Sequence, residues 1–408
     1  MRVLIVKQLF NPEPTAKSLD FAKELVSRGH EVEVLTGFPS YPIGKIYKGY
    51  KQSLFKRENI EGINVIRVPI YPDHSNSGFK RILHYISYAF SASLIGLWLV
   101  KKPQVCFVYQ GAIPVAIPAI ILKKIKKVPF LYDINDLWPE TVAASGMLSK
   151  PKILKIINSW CNWNYRNADF ITVATPGFKK SLLSKGVPEN KLEIVSNWSR
   201  DQIKNAKLPQ ETLDRYFDAS KINILYAGNL GIVQSLTTIL KTAKSLQNQQ
   251  IDKINFIFLG GGADQENLIN YKEKENLNNV IFIPRVDSSE VSKYLNAASF
   301  LMVHLKDDPL FSITIPSKIL AYLKSGKPIL MGLKGDASDI LNEAKAGFTF
   351  EPDNSLDLED KIKKMIALNP DQIKQMGING KKYYQENLSI ESSVDKIEKN
   401  LIKIANNE

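Results

Sequence analysis

The stretch RVLIVKQLFNPEPTAKSLDFAKELVSRGHEVEVLTG, residues 2–37, decides the fold. Its first five residues, RVLIV, are apolar after Arg2, the pattern of a strand buried on both faces of a parallel sheet. A loop with Asn11, Pro12, Glu13, Pro14 and Thr15 follows. Leu19, Ala22, Leu25 and Val26 then recur at helical spacing on one face, and Gly29 ends that helix. EVEVLTG (31–37) is the next strand. Strand, helix and strand in this order form a βαβ unit, which crosses over right-handedly and lays its strands parallel.

The alternation continues outward from that unit. NVIRVPI (64–70), VCFVYQG (105–111), PFLYDIND (129–136) and FITVAT (170–175) read as strands, with helical patterns between most of them. A polar stretch, 201–220, holding Asp201, Lys204, Asn205 and Pro209, reads as a linker. Beyond it the pattern restarts with INILYAGNLG (222–231), INFIFLGGG (254–262), VIFIPRV (280–286), FLMVHL (300–305) and PILMGL (328–333). The expectation is an α/β protein with two Rossmann-like domains, residues 1–200 and 221–385. A final helix within 386–408 is a candidate to pack back on the first domain. Two such domains facing each other bring the C-terminal edges of two parallel sheets, where ligands of such sheets bind, to one cleft.

A chain of 408 residues is long enough for two cores. Cys106 and Cys161 lie in no CxxC or Cys/His cluster, which argues against a disulfide framework or a zinc site. The opening MRVLIVKQLF reads as a strand rather than a signal peptide, because its apolar run is short and broken by Lys7. The net charge of +13 is one-sided: residues 1–200 hold 28 Lys and Arg against 14 Asp and Glu, and the rest hold 26 against 27. A basic first half suits a polyanionic partner, either nucleic acid or an anionic membrane. No helix-turn-helix, RRM or zinc-finger pattern supports the nucleic acid.

Four motifs carry chemistry. GNLG (228–231) follows a strand and precedes a helix, so Gly228, Asn229 and Gly231 either let backbone N–H groups approach a phosphate or serve a turn that needs glycine. GGG (260–262) reads as a tight turn, since Ala263 and Asp264 offer an anion nothing. In TIPSKILAYLKSGKPIL (314–330), Pro316 suits a first helical turn, and Ser317 and Lys318 stand at the helix start. Free N–H groups, a hydroxyl and an ammonium there suit a diphosphate. Arg285, at the end of VIFIPRV, joins this donor set. In YDINDLWPE (132–140), Asp133, Asn135, Asp136 and Glu140 follow a strand, and carboxylates at that edge can orient sugar hydroxyls or act as acid or base. Asp136, Glu140 and Asn135 are the catalytic candidates, and Pro14 and Thr15 belong to the loop at the same edge. No DxD motif stands at a strand end, and Asp307-Asp308 runs into Pro309, so a metal is not expected.

With the opening strand and loop, DLWPE, ILYAGNLG and IPSKILAYLKSGKPIL in this order, the chain resembles glycosyltransferase family 4 of the GT-B fold. It looks most like the branch that builds O-antigen, capsule and colanic acid. The resemblance spans most of the chain and implies a retaining, metal-independent transferase without a cofactor. Its donor would be a UDP-sugar, an N-acetylated hexosamine or 6-deoxyhexosamine such as N-acetylfucosamine. Three positions depart from the family. Its Glu-x7-Glu pair is replaced by Ile313 and Ala321, so the carboxylate that grips ribose is missing. Its Arg and Lys after the first C-terminal strand are replaced by Asn229 and Gln234. A His-Asp pair after the fourth N-terminal strand is here Asn135-Asp136.

ILHYISYAFSASLIGLWLV (82–100) carries no formal charge and just reaches membrane-spanning length. Because it lies between two strands of one sheet, it reads as a crossover helix that also offers an apolar face to lipid. The cluster KKIKK, with Lys123, Lys124, Lys126 and Lys127, adds attraction to an anionic surface. A polyprenyl-diphosphate-linked glycan, with its anionic head and lipid tail, suits both features as acceptor. The expected location is cytoplasmic, peripheral on the inner face of the plasma membrane. The alternative is a GT-B-like UDP-sugar 2-epimerase, which needs cleft carboxylates and histidines; His304 alone of the four histidines follows a strand in the second half.

Overall fold

The computed structural model describes residues 1–75, 77–144, 150–199 and 206–406. The chain divides into two compact units, Met1–Asn197 with Ile390–Glu408, and Trp198–Ser389.

Unit 1 is built on eight strands: β1 Arg2–Val6, β2 Glu31–Gly37, β3 Lys56–Ile60, β4 Ile63–Val68, β5 Val105–Gln110, β6 Phe130–Ile134, β7 Phe170–Val173 and β8 Leu192–Ile194. Their order is β3-β4-β2-β1-β5-β6-β7-β8, and only β3 pairs antiparallel. β1 lies between β2 and β5, which explains its unbroken apolar run: Val3, Leu4, Ile5 and Val6 are buried on both faces. The first helix is Leu19–Ser27. It buries Phe21, Ala22 and Leu25, while Val26 is exposed. Phe21, not Val26, completes the inner face, because its ring packs 4.6 Å from that of Phe107 on β5. The stretch read from 82 is helical from Gly78 to Leu99, with a π turn over Ala92–Gly96, and it crosses from β4 to β5.

Unit 2 holds six parallel strands: β9 Ile222–Asn229, β10 Ile254–Gly261, β11 Val280–Ile283, β12 Phe300–His304, β13 Ile329–Gly332 and β14 Gly347–Thr349, in the order β11-β10-β9-β12-β13-β14. The short strands β3, β8 and β14 are additions to the eleven legible in the sequence. Of the stretch 201–220, residues 201–205 lie outside the described residues. The remainder contains the helix Gln210–Tyr216, and Leu208 and Phe217 are buried in the core of unit 2. The polar composition concealed two apolar anchors on either side of a short amphipathic helix. The last helix, Ile390–Ala405, belongs to unit 1, where Glu398 bonds Arg28 at 2.8 Å and His30 at 2.7 Å.

Candidate functional site

In unit 2 a cavity of about 360 Å³ opens at the C-terminal ends of β9 and β10. Gly228 and Gly260 are register partners there, with φ of +139° and +146°, a backbone region closed to most side chains. A Cβ on Gly260 would overlap the Gly228 carbonyl. Gly261 and Arg285 also line this cavity. Gly260 and Gly261 of the GGG run are therefore cavity wall and not only a turn: glycine faces glycine near the ends of two adjacent strands, and their backbones approach as no other residues allow. Gly262 faces the Leu230 carbonyl, where a Cβ would also clash.

Lys318 sits in the first turn of the helix Ser317–Ser325 and lays its stem against Gly228, with Nζ 3.7 Å from the Tyr226 ring centroid and bonded to its hydroxyl. The residue is half-buried. The ammonium makes no ion pair among the described residues, and desolvation pushes its pKa down to about 7. An anion arriving here would restore the charge. Tyr226 was not singled out in the sequence; it sits two residues before Gly228, so it had the look of an ordinary core aromatic. Ser317 is exposed and outside the cavity wall.

Asn229 lines the cavity, and its Nδ2 donates to Gln234 Oε1 at 3.3 Å. Gly231 lies outside the wall and donates its N–H to the same oxygen at 3.0 Å. The two residues that replace the family's Arg and Lys thus bond each other and close the turn. Ala321 is buried, so the position of the ribose-binding Glu faces core. Asp307 pairs with Lys334 at 2.8 Å, and Asp308 caps Leu310 N–H at 2.9 Å. His304 is fully engaged: Nδ1 bonds the Gln234 carbonyl at 2.8 Å and Nε2 accepts from Asp353 N–H at 3.1 Å. Burial lowers its pKa, so it is a neutral strut.

In unit 1 a second cavity, about 310 Å³, opens at the C-terminal edge of its sheet. Pro14, Thr15 and Asp136 line it, together with Lys7, Asp73, His74, Arg81, His84 and Tyr109. The carboxylates of YDINDLWPE separate into three roles. Asp133 is buried, held by Lys17 Nζ at 2.8 and 2.9 Å, by Thr172 Oγ1 at 2.7 Å and by Asn135 Nδ2 at 2.6 Å. Glu140 pairs with Lys185 at 2.7 Å and does not line the cavity. Asp136 alone of the three faces it. The residue is exposed, yet the protein around its carboxyl desolvates it and pushes its pKa up to about 6. Asn135 faces Asp133 rather than the cavity because that hydrogen bond captures its amide.

Neighbouring loops are fixed in the same way. Lys7 Nζ donates to the Ala16 and Lys17 carbonyls and lies 3.9 Å from the Tyr109 ring centroid. Glu13 accepts N–H bonds from Phe10, Ser40 and Tyr41 at 2.8–3.0 Å. Lysine at the end of a strand was the available signal for Lys7. Lys17, in contrast, meets Asp133 across 116 residues of chain, which no local pattern reveals.

Residues 14–198 match the model of the glycosyl transferase 4-like domain, and residues 214–383 match that of glycosyl transferases group 1. The chain is a family 4 glycosyltransferase. Among relatives of this glycosyltransferase, WcaI of Escherichia coli (strain K12), described as a colanic acid biosynthesis glycosyl transferase, is 24% identical over 342 residues, 80% of this chain and 82% of its own. TuaH of Bacillus subtilis (strain 168), described as a teichuronic acid biosynthesis glycosyltransferase, is 23% identical over 59% of each chain. The fold matches solved GT-B structures. Anabaena HepE in complex with UDP superposes with a TM-score of 0.70 at 13% identity, over 99% of this chain and 100% of its own. An E. coli trehalose-6-phosphate protein bound with UDP-2-fluoro glucose gives 0.72 at 10%, over 98% and 99%. The epimerase alternative finds no support in these matches, and both nitrogens of His304 are already occupied.

Proposed function

We propose that this glycosyltransferase moves an N-acetylated hexosamine or 6-deoxyhexosamine from a UDP-sugar to a polyprenyl-diphosphate-linked glycan, with retention, in the synthesis of a bacterial surface polysaccharide. The observation that carries the donor assignment is Lys318, desolvated, without an acidic partner among the described residues and packed on Gly228 at a helix N-terminus. Backbone N–H groups, the helix dipole and that ammonium suit a diphosphate without a metal. UDP in HepE and UDP-2-fluoro glucose in the trehalose-6-phosphate protein support the nucleotide. The descriptions of WcaI and TuaH support the polysaccharide. Arg285, Asn229 and Gly261 border the space left for the rest of the nucleotide.

Asp136 orients the acceptor in the unit 1 cavity. For retention, the acceptor hydroxyl attacks the anomeric carbon on the face the diphosphate leaves, and a departing phosphate oxygen takes the hydroxyl proton. The protein then supplies position and electrostatics. Docking on the inner leaflet accounts for the basic first half. Within KKIKK, Lys123 is engaged by Asp169 at 2.7 Å and Lys124 lies 5.8 Å from the Trp163 ring centroid, so Lys126 and Lys127 are the freer pair. The test is a screen of UDP-sugars against lipid-diphosphate acceptors, with and without EDTA and with NMR of the product. An inverted anomeric centre, or activity lost to EDTA and restored by manganese, would overturn the mechanism.

A further inference from the structure

The 22-residue helical stretch Gly78–Leu99 has the length and composition of a membrane span, yet it is fixed to the sheet. Tyr88 donates its hydroxyl to the Leu35 carbonyl at 2.8 Å. Gly96 lies so close to the Leu35 side chain that a Cβ there would clash. Its opposite side is bare and apolar. Phe79, Leu83, Ile86, Phe90, Leu94 and Trp98 form one exposed stripe, with Phe79, Phe90 and Trp98 at 77%, 65% and 84%. Spacings of four and three residues keep the first four on one face. The π turn over Ala92–Gly96 absorbs the longer spacing that brings Leu94 and Trp98 onto it.

The charge carried by the helix and its ends has one sign, although Lys101 is paired with Glu31 at 2.8 Å. Residues 78–102 contain no Asp or Glu, and Lys80 and Lys102 stand exposed at its two ends without an ion pair among the described residues. Its N-terminal turns also border the unit 1 cavity. Arg81, His84 and Tyr85 line that cavity, while Phe79, Leu83 and Ile86 of the same turns face outward. Burial lowers the pKa of His84 and outweighs its bond to the Tyr71 carbonyl at 2.7 Å, which acts the other way. The Arg81 guanidinium has no ion pair or hydrogen bond among the described residues, although Asp73 lines the same cavity.

We infer that this helix sorts the two ends of an amphiphilic acceptor presented from an anionic bilayer: Arg81 receives its diphosphate at the cavity rim, and the stripe lies in the lipid interface beside its hydrocarbon chain. The assignment rests on the reading above that the acceptor is a lipid-linked diphosphate. An amphipathic helix in the interface buries its apolar face by roughly 5–10 Å, which the rings of this stripe suit. A guanidinium with both edges free matches two phosphate oxygens, which a lysine matches less well.

Two measurements test it on the full chain. Flotation with phosphatidylglycerol vesicles reads the stripe. The double variant Phe90→Ser, Trp98→Ser should lower binding at least about tenfold and leave UDP affinity unchanged, because both side chains are exposed. Calorimetry with farnesyl diphosphate, with inorganic pyrophosphate alongside, reads Arg81. Arg81→Ala should weaken farnesyl diphosphate roughly ten- to hundredfold, with Arg81→Lys recovering part of the loss and vesicle flotation falling far less. If the wild type binds neither vesicles nor farnesyl diphosphate, the lipid-linked acceptor reading fails and this inference with it. If the wild type binds both and the variants match it, that reading survives and the sorting helix is wrong.

Discussion

The two cavities stand at the C-terminal edges of parallel strands in their own units, but they are built in opposite ways. In unit 2 the wall where β9 and β10 meet is backbone: Gly228, Gly260 and Gly261 leave side chains out there, Asn229 and Arg285 border it, and one desolvated lysine packs on Gly228. The unit 1 wall is side chains, several of them ionisable. There Lys17 neutralises Asp133 and Lys185 neutralises Glu140, which leaves Asp136 facing the cavity. A phosphate site arises where side chains are absent and N–H groups are reachable. An orienting carboxylate arises where neighbouring charges are paired off and one is not.

The sharpest break of this contrast is Asp136→Asn. Turnover should fall about 10²- to 10⁴-fold with UDP affinity unchanged. Wild-type turnover should also decline as pH falls through about 6, where the carboxyl takes up its proton. A variant with near-normal turnover would remove Asp136 from the mechanism.

Gly260→Ala tests the backbone character of the unit 2 wall. A methyl at φ +146° and against the Gly228 carbonyl should cost about 2–3 kcal/mol of stability. UDP affinity should fall by about a hundredfold. Thermal unfolding and calorimetry read both, and wild-type values would mean that the wall tolerates a side chain.

Lys318→Ala should weaken UDP roughly ten- to hundredfold. The same residue sets a pH dependence. Its free-state pKa is depressed, so the folded protein binds fewer protons than the unfolded chain between about 7 and the ordinary lysine value, and stability without UDP rises with pH across that window. A bound diphosphate restores the charge, so UDP binding above pH 7 should take up a proton and weaken as pH rises. Calorimetry at pH 8 in buffers of different ionisation enthalpy measures that uptake. No uptake would place the diphosphate elsewhere.

The smallest effect is expected from Glu140→Gln. Because Glu140 serves Lys185 and not the cavity, turnover should change less than about threefold, with about 1 kcal/mol lost in stability. A hundredfold loss of turnover would return Glu140 to the reacting centre and break the division of roles among the three carboxylates.

Much of this was legible because it is periodic and local. RVLIV between two strands can only be a doubly buried run, and GNLG and PSK mark where a strand or loop meets a helix start. The aromatic under Lys318 and the second glycine wall at Gly260 were harder to see. Each depends on which strand lies next to β9, and the sequence between β9 and β10 does not state that.

What the sequence by itself determined is the pair of Rossmann-like halves, the family and the position of each loop at a strand's end, since apolar periodicity and turn chemistry act over a few residues. Only the tertiary structure decided which charges are left to work. Asp133, Asp136 and Glu140 are equal in the sequence. Lys17 and Lys185, 116 and 45 positions from their partners, select among them, because an ion pair is set by distance in space and desolvation by what packs around it.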